Sequence, residues 1–239
     1  MNSICRLCRN SNDLRQSHII PEFLFHPLYD DKHRYLVLSV ENTQGSFAQR
    51  GLTEKLLCQN CEQQLGRNEK YAAELMTGRR GQVFRNAGGK LKIEGLDYNK
   101  FKSFLNSILW RASVSSVDFF RLVSLGPREE ILRQLILKDA PGDPEEFGCV
   151  VIHMLDKGQL LSDTMFNPEP MRWAGSRMFK FYFGGACWAF HCDKKPPIAQ
   201  IKKFFLQKDG TMITMYGDFH EANLQFHDAR RMARQNRFL

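Results

Sequence analysis

Apolar residues at Phe101, Phe104, Leu105, Ile108, Leu109 and Ala112 recur at the spacing that places them on one helical face. Asp97 or Asn99 can cap this helix by accepting a first-turn N–H. Trp110 and Arg111 fall just off the stripe, and the pattern predicts core packing for the whole face. A second helix is predicted from Gly126-Pro127, where proline suits the first turn, to about Lys138, with Pro141-Gly-Asp-Pro144 ending it. The period then changes. Residues 148–155 form a buried-type run, 178–183 and 186–191 flank Gly184-Gly185, and 204–206 and 211–215 flank Asp209-Gly210. That predicts about five strands, mostly antiparallel, packed on the two helices. The tail from His220 to Leu239 reads as helical.

The N-terminal third is patterned differently. Residues 1–16 read as a knuckle around Cys5 and Cys8, and Ile19-Ile20 as an extended pair ended by Pro21. Residues 35–40 are β-prone and 41–50 polar and loop-like. A helix is expected from near Asn60, with Leu65, Ala72, Leu75 and Met76 on its inner side. Gly66 weakens it by ~1 kcal/mol, and Gly78 is a natural stop. Cys5-x-x-Cys8 and Cys58-x-x-Cys61 supply four sulfurs in two bites, the set a tetrahedral Zn²⁺ takes. A complete sulfur shell leaves no position for water, so such a zinc is structural. Knuckle, extended pair and a helix bearing the second thiol pair follow the order of a treble clef. The fold class expected is α+β, an N-terminal treble-clef zinc module followed by helices and a mostly antiparallel sheet.

Charge adds a partner class. The 239-residue chain carries a net charge of +8, which favours a polyanion such as nucleic acid. Arg79, Arg80, Arg85, Lys90 and Lys92 fall in a stretch without acids that includes Gly88-Gly89, and Arg230, Arg231, Arg234 and Arg237 recur in the tail. Either group could contact phosphates or simply be solvated. The division expected is a zinc module over 1–78, a basic linker over 79–95 and an α+β domain over 96–239. No apolar run is long enough for a membrane span, so no membrane partner is expected. The N-terminus lacks a secretory h-region. Seven cysteines, four in metal spacing, suit a reducing compartment, hence the cytoplasm. Cys187, His191 and Cys192 read as part of a packed strand and Cys149 as a core residue. No phosphate-binding glycine loop or nucleophile elbow is present.

His18, between Ser17 and Ile19-Ile20-Pro21, is placed to face the start of the Cys58–Cys61 helix, where Glu62 sits in the first turn. An imidazole beside a divalent cation can take a proton from water. The alternative is a histidine bonded to backbone and a glutamate that only complements the helix dipole. The paired thiols with Ser17-His18-Ile19-Ile20-Pro21 and Leu57-Cys58-x-x-Cys61 resemble the zinc-bearing HNH endonucleases over about residues 3–77. The resemblance implies a ββα-metal site with His18 as general base and Asn42 as a candidate to orient it. It also implies a catalytic Mg or Mn ion held by His18 and Glu62. Ser17 stands where that family has an Asp or His ligand, and Glu62 where it often has His; Glu69, two turns along, could assist. The substrate implied is nucleic acid, DNA first. The remaining two-thirds, notably Ser107-Ile-Leu-Trp-Arg111, loosely resembles the C-terminal parts of uncharacterised bacterial HNH-like proteins, which implies a gene setting in antiviral defence with a partner protein. Two other functions fit the same residues: a catalytically silent nucleic-acid-binding module, and a protein-interaction role for the C-terminal region.

Overall fold

The computed structural model describes residues 3–37 and 46–218. Asn42, the tail arginines Arg230, Arg231, Arg234 and Arg237, and the helix expected there lie outside the described residues. The N-terminal part starts with a small hairpin, β1 (Ser3–Ile4) and β2 (Ser11–Asn12). The knuckle turn is closed by Cys5 N–H on the Asn10 carbonyl and Arg9 N–H on the Cys5 carbonyl. β3 (Leu14–His18) follows, then two short 3₁₀ turns after Pro21, at Glu22–Leu24 and His26–Leu28. β4 (Tyr35–Val37) pairs β5 (Ser46–Ala48). β6 (Thr53–Cys58) returns antiparallel to β3, with a register slip between Arg15 and Gln16.

β6 runs directly into α1 (Gln59–Met76), with Cys58 as its extended N-cap. Cys61, Leu65, Asn68, Tyr71, Ala72 and Leu75 make the buried face. Gly66 has open space where a Cβ would be, so it leaves the packing untouched. The helix stops as expected: Gly78 takes φ +69, its N–H reaches the Leu75 carbonyl, and Arg79 N–H reaches Glu74. These are the two bonds of a Schellman cap.

The stretch 79–95, expected as a basic linker, contains a hairpin, β7 (Val83–Ala87) and β8 (Lys90–Glu94). Gly88 and Gly89, at φ +56 and +75, make its turn, as two adjacent positive-φ positions require. α2 (Tyr98–Val114) and α3 (Arg128–Leu137) then precede β9 (Cys149–Asp156), β10 (Gln159–Leu160), β11 (Phe166–Trp173), β12 (Ser176–Phe183) and β13 (Ala186–His191). A short α4 (Ala199–Lys202) leads to β14 (Met212–Asp218). The eight-stranded sheet runs β11-β12-β13-β9-β14-β8-β7, with β10 pairing β9. Its pairs are antiparallel apart from β14 with β9. The protein is thus a mixed α+β fold, helices packed on a mostly antiparallel sheet.

Two expectations are corrected here. Residues 204–206 form no strand; they follow α4 in a turn and fill the core with Phe205 and Leu206. The sheet also holds more strands than five. β11 contains Pro168 and Pro170, which cannot donate to a ladder, yet it lies at the sheet's edge where one side needs no donors.

α2 is the centre of the molecule. Asp97 caps it by accepting from Lys100 N–H, and every apolar position of the expected face is buried. Its opposite side is buried too. Tyr98 Oη donates to the Gly142 carbonyl (2.7 Å) and Asn106 Nδ2 to Pro141 (3.1 Å). Between them Lys102 Nζ donates to Glu146 (2.6 Å) and Phe147 (3.1 Å). One continuous apolar core joins Cys5 and Leu7 at the zinc-type cluster to Phe190 and Cys192 in the sheet.

Candidate functional site

The hairpin turn and the β6–α1 junction bring the two thiol pairs together. The sulfurs of Cys5, Cys8, Cys58 and Cys61 all lie within 4.8 Å of one another, with Cys8 and Cys58 3.8 Å apart. Tetrahedral zinc with bonds of about 2.3 Å requires ligand sulfurs about 3.8 Å apart, so the donor set fits that ion. Cys58 N–H points at Cys5 Sγ (3.3 Å), a donor that favours thiolate. Packed so closely, the thiols do not ionise alike. The hydrogen bond from Cys61 draws Cys5 down to about 4. Its hydrogen bond to Cys5 pushes Cys61 up, and burial pushes Cys8 up. A dication is what lets all four become thiolates together. Arg133, from α3, donates to the Leu7 carbonyl inside the knuckle and ties it to the core.

The second group of polar residues surrounds the end of β3. His18 Nε2 lies 2.9 Å from Glu22 Oε2, both side chains about one-third exposed. Glu22 Oε1 accepts from Tyr29 Oη (2.6 Å), and burial together with this carboxylate pushes the Tyr29 hydroxyl up, keeping it a donor. On the inner side Arg111, fully buried, pairs with Glu69 (2.6 Å) and donates to the His18 carbonyl (2.6 Å). Ser17 is buried and its Oγ accepts from Leu57 N–H (3.2 Å). Burial pushes the Glu62 carboxyl up, opposed by a hydrogen bond from Ser17 and by the charges of Arg111 and His18. Glu62 Oε1 is buried with no hydrogen-bond partner.

Among the charges acting on Glu62, that of His18 is a small one, behind those of Arg111 and Glu69. His18 and Glu62 do not form a ready ion cage. Among the described residues the four cysteines are the one group of three or more His, Cys, Asp or Glu placed to hold a metal ion. Glu22, Tyr29 and Arg111 are members of this cluster that the residue pattern did not single out as functional. The available signals were a carboxylate four residues after His18 and a cation on a helix otherwise destined for the core, which needs an anionic partner.

The basic residues of 79–92 are largely committed. Arg80 pairs with Glu74 and stacks on Tyr71, and Arg85 and Lys92 both pair with Glu94. Lys90 lies over the Phe204 ring, and Arg79 is exposed. His191 and Cys187 are buried in the sheet with Cys192, and Cys149 is buried beneath α2, as core residues. Among the described residues no helix is long and apolar enough to cross a membrane.

Fold and cluster define an α+β protein with a four-cysteine centre able to hold zinc. Comparison of the chain with protein-family models, curated proteins and solved structures finds no match. The likeness to zinc-bearing HNH endonucleases rests on the residues quoted above.

Proposed function

We propose that the protein is a zinc-scaffolded hydrolase of phosphodiester bonds in nucleic acid, of the HNH type, with His18 as general base. The observation that carries this is the His18–Glu22 pair, about one-third exposed, at the end of β3. Arg111 bonds the His18 carbonyl, and Glu62 lies in the first turn of α1. Gln16 and His18 alternate on β3 and pair with Lys55 and Thr53, so an exposed cation lies along the strand face that carries the imidazole. A phosphate backbone is the ligand such a face attracts. Zinc would be held by Cys5, Cys8, Cys58 and Cys61 and contribute folding energy, not chemistry.

A catalytic Mg or Mn ion would have Glu62 as its carboxylate donor, with Glu69 behind it. Mg²⁺ is commonly held by one or two carboxylates together with substrate phosphates, so a complete protein cage is not required. Bound there it would neutralise charge on the scissile phosphate. His18 takes a proton from water, and Arg111 and Glu69 keep the strand end in place.

The second reading, a catalytically silent module that grips nucleic acid, is favoured by one observation. Ser17 is wholly buried, and its hydroxyl accepts from Leu57 N–H and faces the Arg15 carbonyl at 3.5 Å, so it cannot serve as an ion ligand. Plasmid nicking with added Mg²⁺, Mn²⁺ or Ni²⁺ separates the two. Cleavage by the wild type that disappears in His18→Ala supports the hydrolase. Binding without cleavage under every metal supports the silent module.

A further inference from the structure

The central sheet ends in two unlike edges, β11 and β7. β11 carries Pro168 and Pro170, shifts register between Phe166 and Glu169, and its Asn167 side chain donates to the Phe119 carbonyl (3.2 Å). Prolines, bulges and covering segments keep an edge from pairing with another chain. β7 has none of these protections. Its five residues hold an unbroken register with β8, none is proline, and among the described residues no strand pairs its outer side. Val83 and Phe84 are about half exposed, at 47% and 52%. We propose that this edge takes an extended segment of another protein as a further strand, a segment that alternates apolar and acidic residues.

The ladder decides which backbone groups face out. Gly88 and Gly89, both at positive φ, form a two-residue turn that closes on Ala87 and Lys90. In such a turn the first residue's carbonyl accepts from the fourth residue's N–H, which makes Ala87 and Lys90 a hydrogen-bonded pair. Bonded and non-bonded pairs alternate along an antiparallel ladder. Val83, Arg85 and Ala87 therefore bond inward to β8, and the N–H and C=O groups of Phe84 and Asn86 point to the free edge.

The side chains of the same ribbon set the chemistry of the added strand. Directly opposed residues share a face, so Phe84, Asn86, Leu91 and Ile93 lie on one side, and none of them is charged. Arg85, Lys90 and Lys92 lie on the other, with Glu94 as the one acid of the hairpin. Glu94 takes both Arg85 (2.9 Å) and Lys92 (2.6 Å), so three cations share one carboxylate. Arg85 keeps 69% exposure. Successive side chains of a new strand meet the two faces in turn, apolar beside Phe84 and anionic beside Arg85. A second copy of this chain is the poorer occupant, because it would set two net-positive faces side by side. Main-chain bonds supply the affinity and the alternation selects the partner.

The test uses the full-length, zinc-loaded protein, with amide exchange read residue by residue. Two synthetic eight-residue peptides serve as probes, one alternating valine with glutamate and one alternating valine with lysine. In the free protein the Phe84 and Asn86 amides should exchange fast, and those of Arg85 and Lys92 slowly. The glutamate peptide should slow Phe84 and Asn86, and the lysine peptide should not. Arg85→Glu should weaken the glutamate peptide roughly tenfold and bring the lysine peptide into the site. Phe84→Pro removes an outward donor that the hairpin does not use, and should abolish binding of both peptides while Arg85 and Lys92 stay protected. Failure of the glutamate peptide to bind, or equal binding of the two peptides, overturns the proposal. So do outward amides already protected in the free monomer, protection that grows with protein concentration, and equal protection by a DNA duplex.

Discussion

Replacing Arg111 by methionine keeps most of the side chain's volume and removes its charge from the middle of the molecule. The guanidinium has no solvent exposure and makes a 2.6 Å ion pair with Glu69 and a 2.6 Å hydrogen bond to the His18 carbonyl. It also bonds the Ser107 carbonyl and hydroxyl at 3.3 Å each. Removing one partner of a buried pair costs about 3–5 kcal/mol, because the other charge is left uncompensated. Glu69 retains 24% exposure, so water can recover part of that, and about 3 kcal/mol is expected from the carboxylate. The orphaned His18 carbonyl adds about 1–3 kcal/mol, and the two losses overlap. A total of about 4 kcal/mol is a large share of an ordinary stability of about 5–15 kcal/mol. For a chain of this size it lowers the Tm by roughly 10 °C. Thermal melts at fixed zinc would measure it, with amide exchange at His18 and Ile19 reporting local loosening. Arg111→Met combined with Glu69→Leu removes the stranded carboxylate and should recover at least half of the loss. A single variant within about 1 kcal/mol of wild type, or a double variant no more stable than the single, would falsify the argument that charge pairing holds this core.

Cys58→Ser removes one of the four sulfurs that would hold the metal, so the N-terminal part should unfold and the chain lose its metal. Metal content per chain and far-UV circular dichroism check this, and a soluble variant with undiminished zinc contradicts it. Lys102 supplies a pH test. Burial pulls its ammonium down to about 8, against about 10.4 in an unfolded chain. Between those values the unfolded state binds more protons, so this residue's contribution makes stability rise with pH, by at most about 3 kcal/mol in all. Denaturant midpoints from pH 7.5 to 10.5 should rise more steeply in wild type than in Lys102→Met; equal slopes would show that the carbonyls of Glu146 and Phe147 hold the ammonium charged.

The local rules carried well wherever one residue type has one physical job. Two Cys-x-x-Cys pairs announced a shared centre, Gly78 the stop of α1, and Gly184-Gly185 a hairpin turn, while of the two cap candidates for α2 the structure uses Asp97. They failed where context reverses a preference. The apolar run at 204–206 argued for a strand, but it follows α4 in a turn and fills the core. The basic stretch at 79–92 reads from the sequence as a hinge or an exposed basic ribbon; the structure forms the β7–β8 hairpin there, with Glu74 and Glu94 pairing three of its cations.

By itself the amino-acid sequence determined most of the helices and hairpin turns and the cysteine set, because spacing along a helix or tight turn is a short-range property. Tertiary structure alone decided that Glu22 turns back to His18 and that Arg111, ninety-three positions away, grips the same residue's carbonyl. It also decided that β14 enters the sheet between β8 and β9. Such partnerships depend on which buried charges and open strand edges meet after the core has closed, and nothing in local periodicity specifies that meeting.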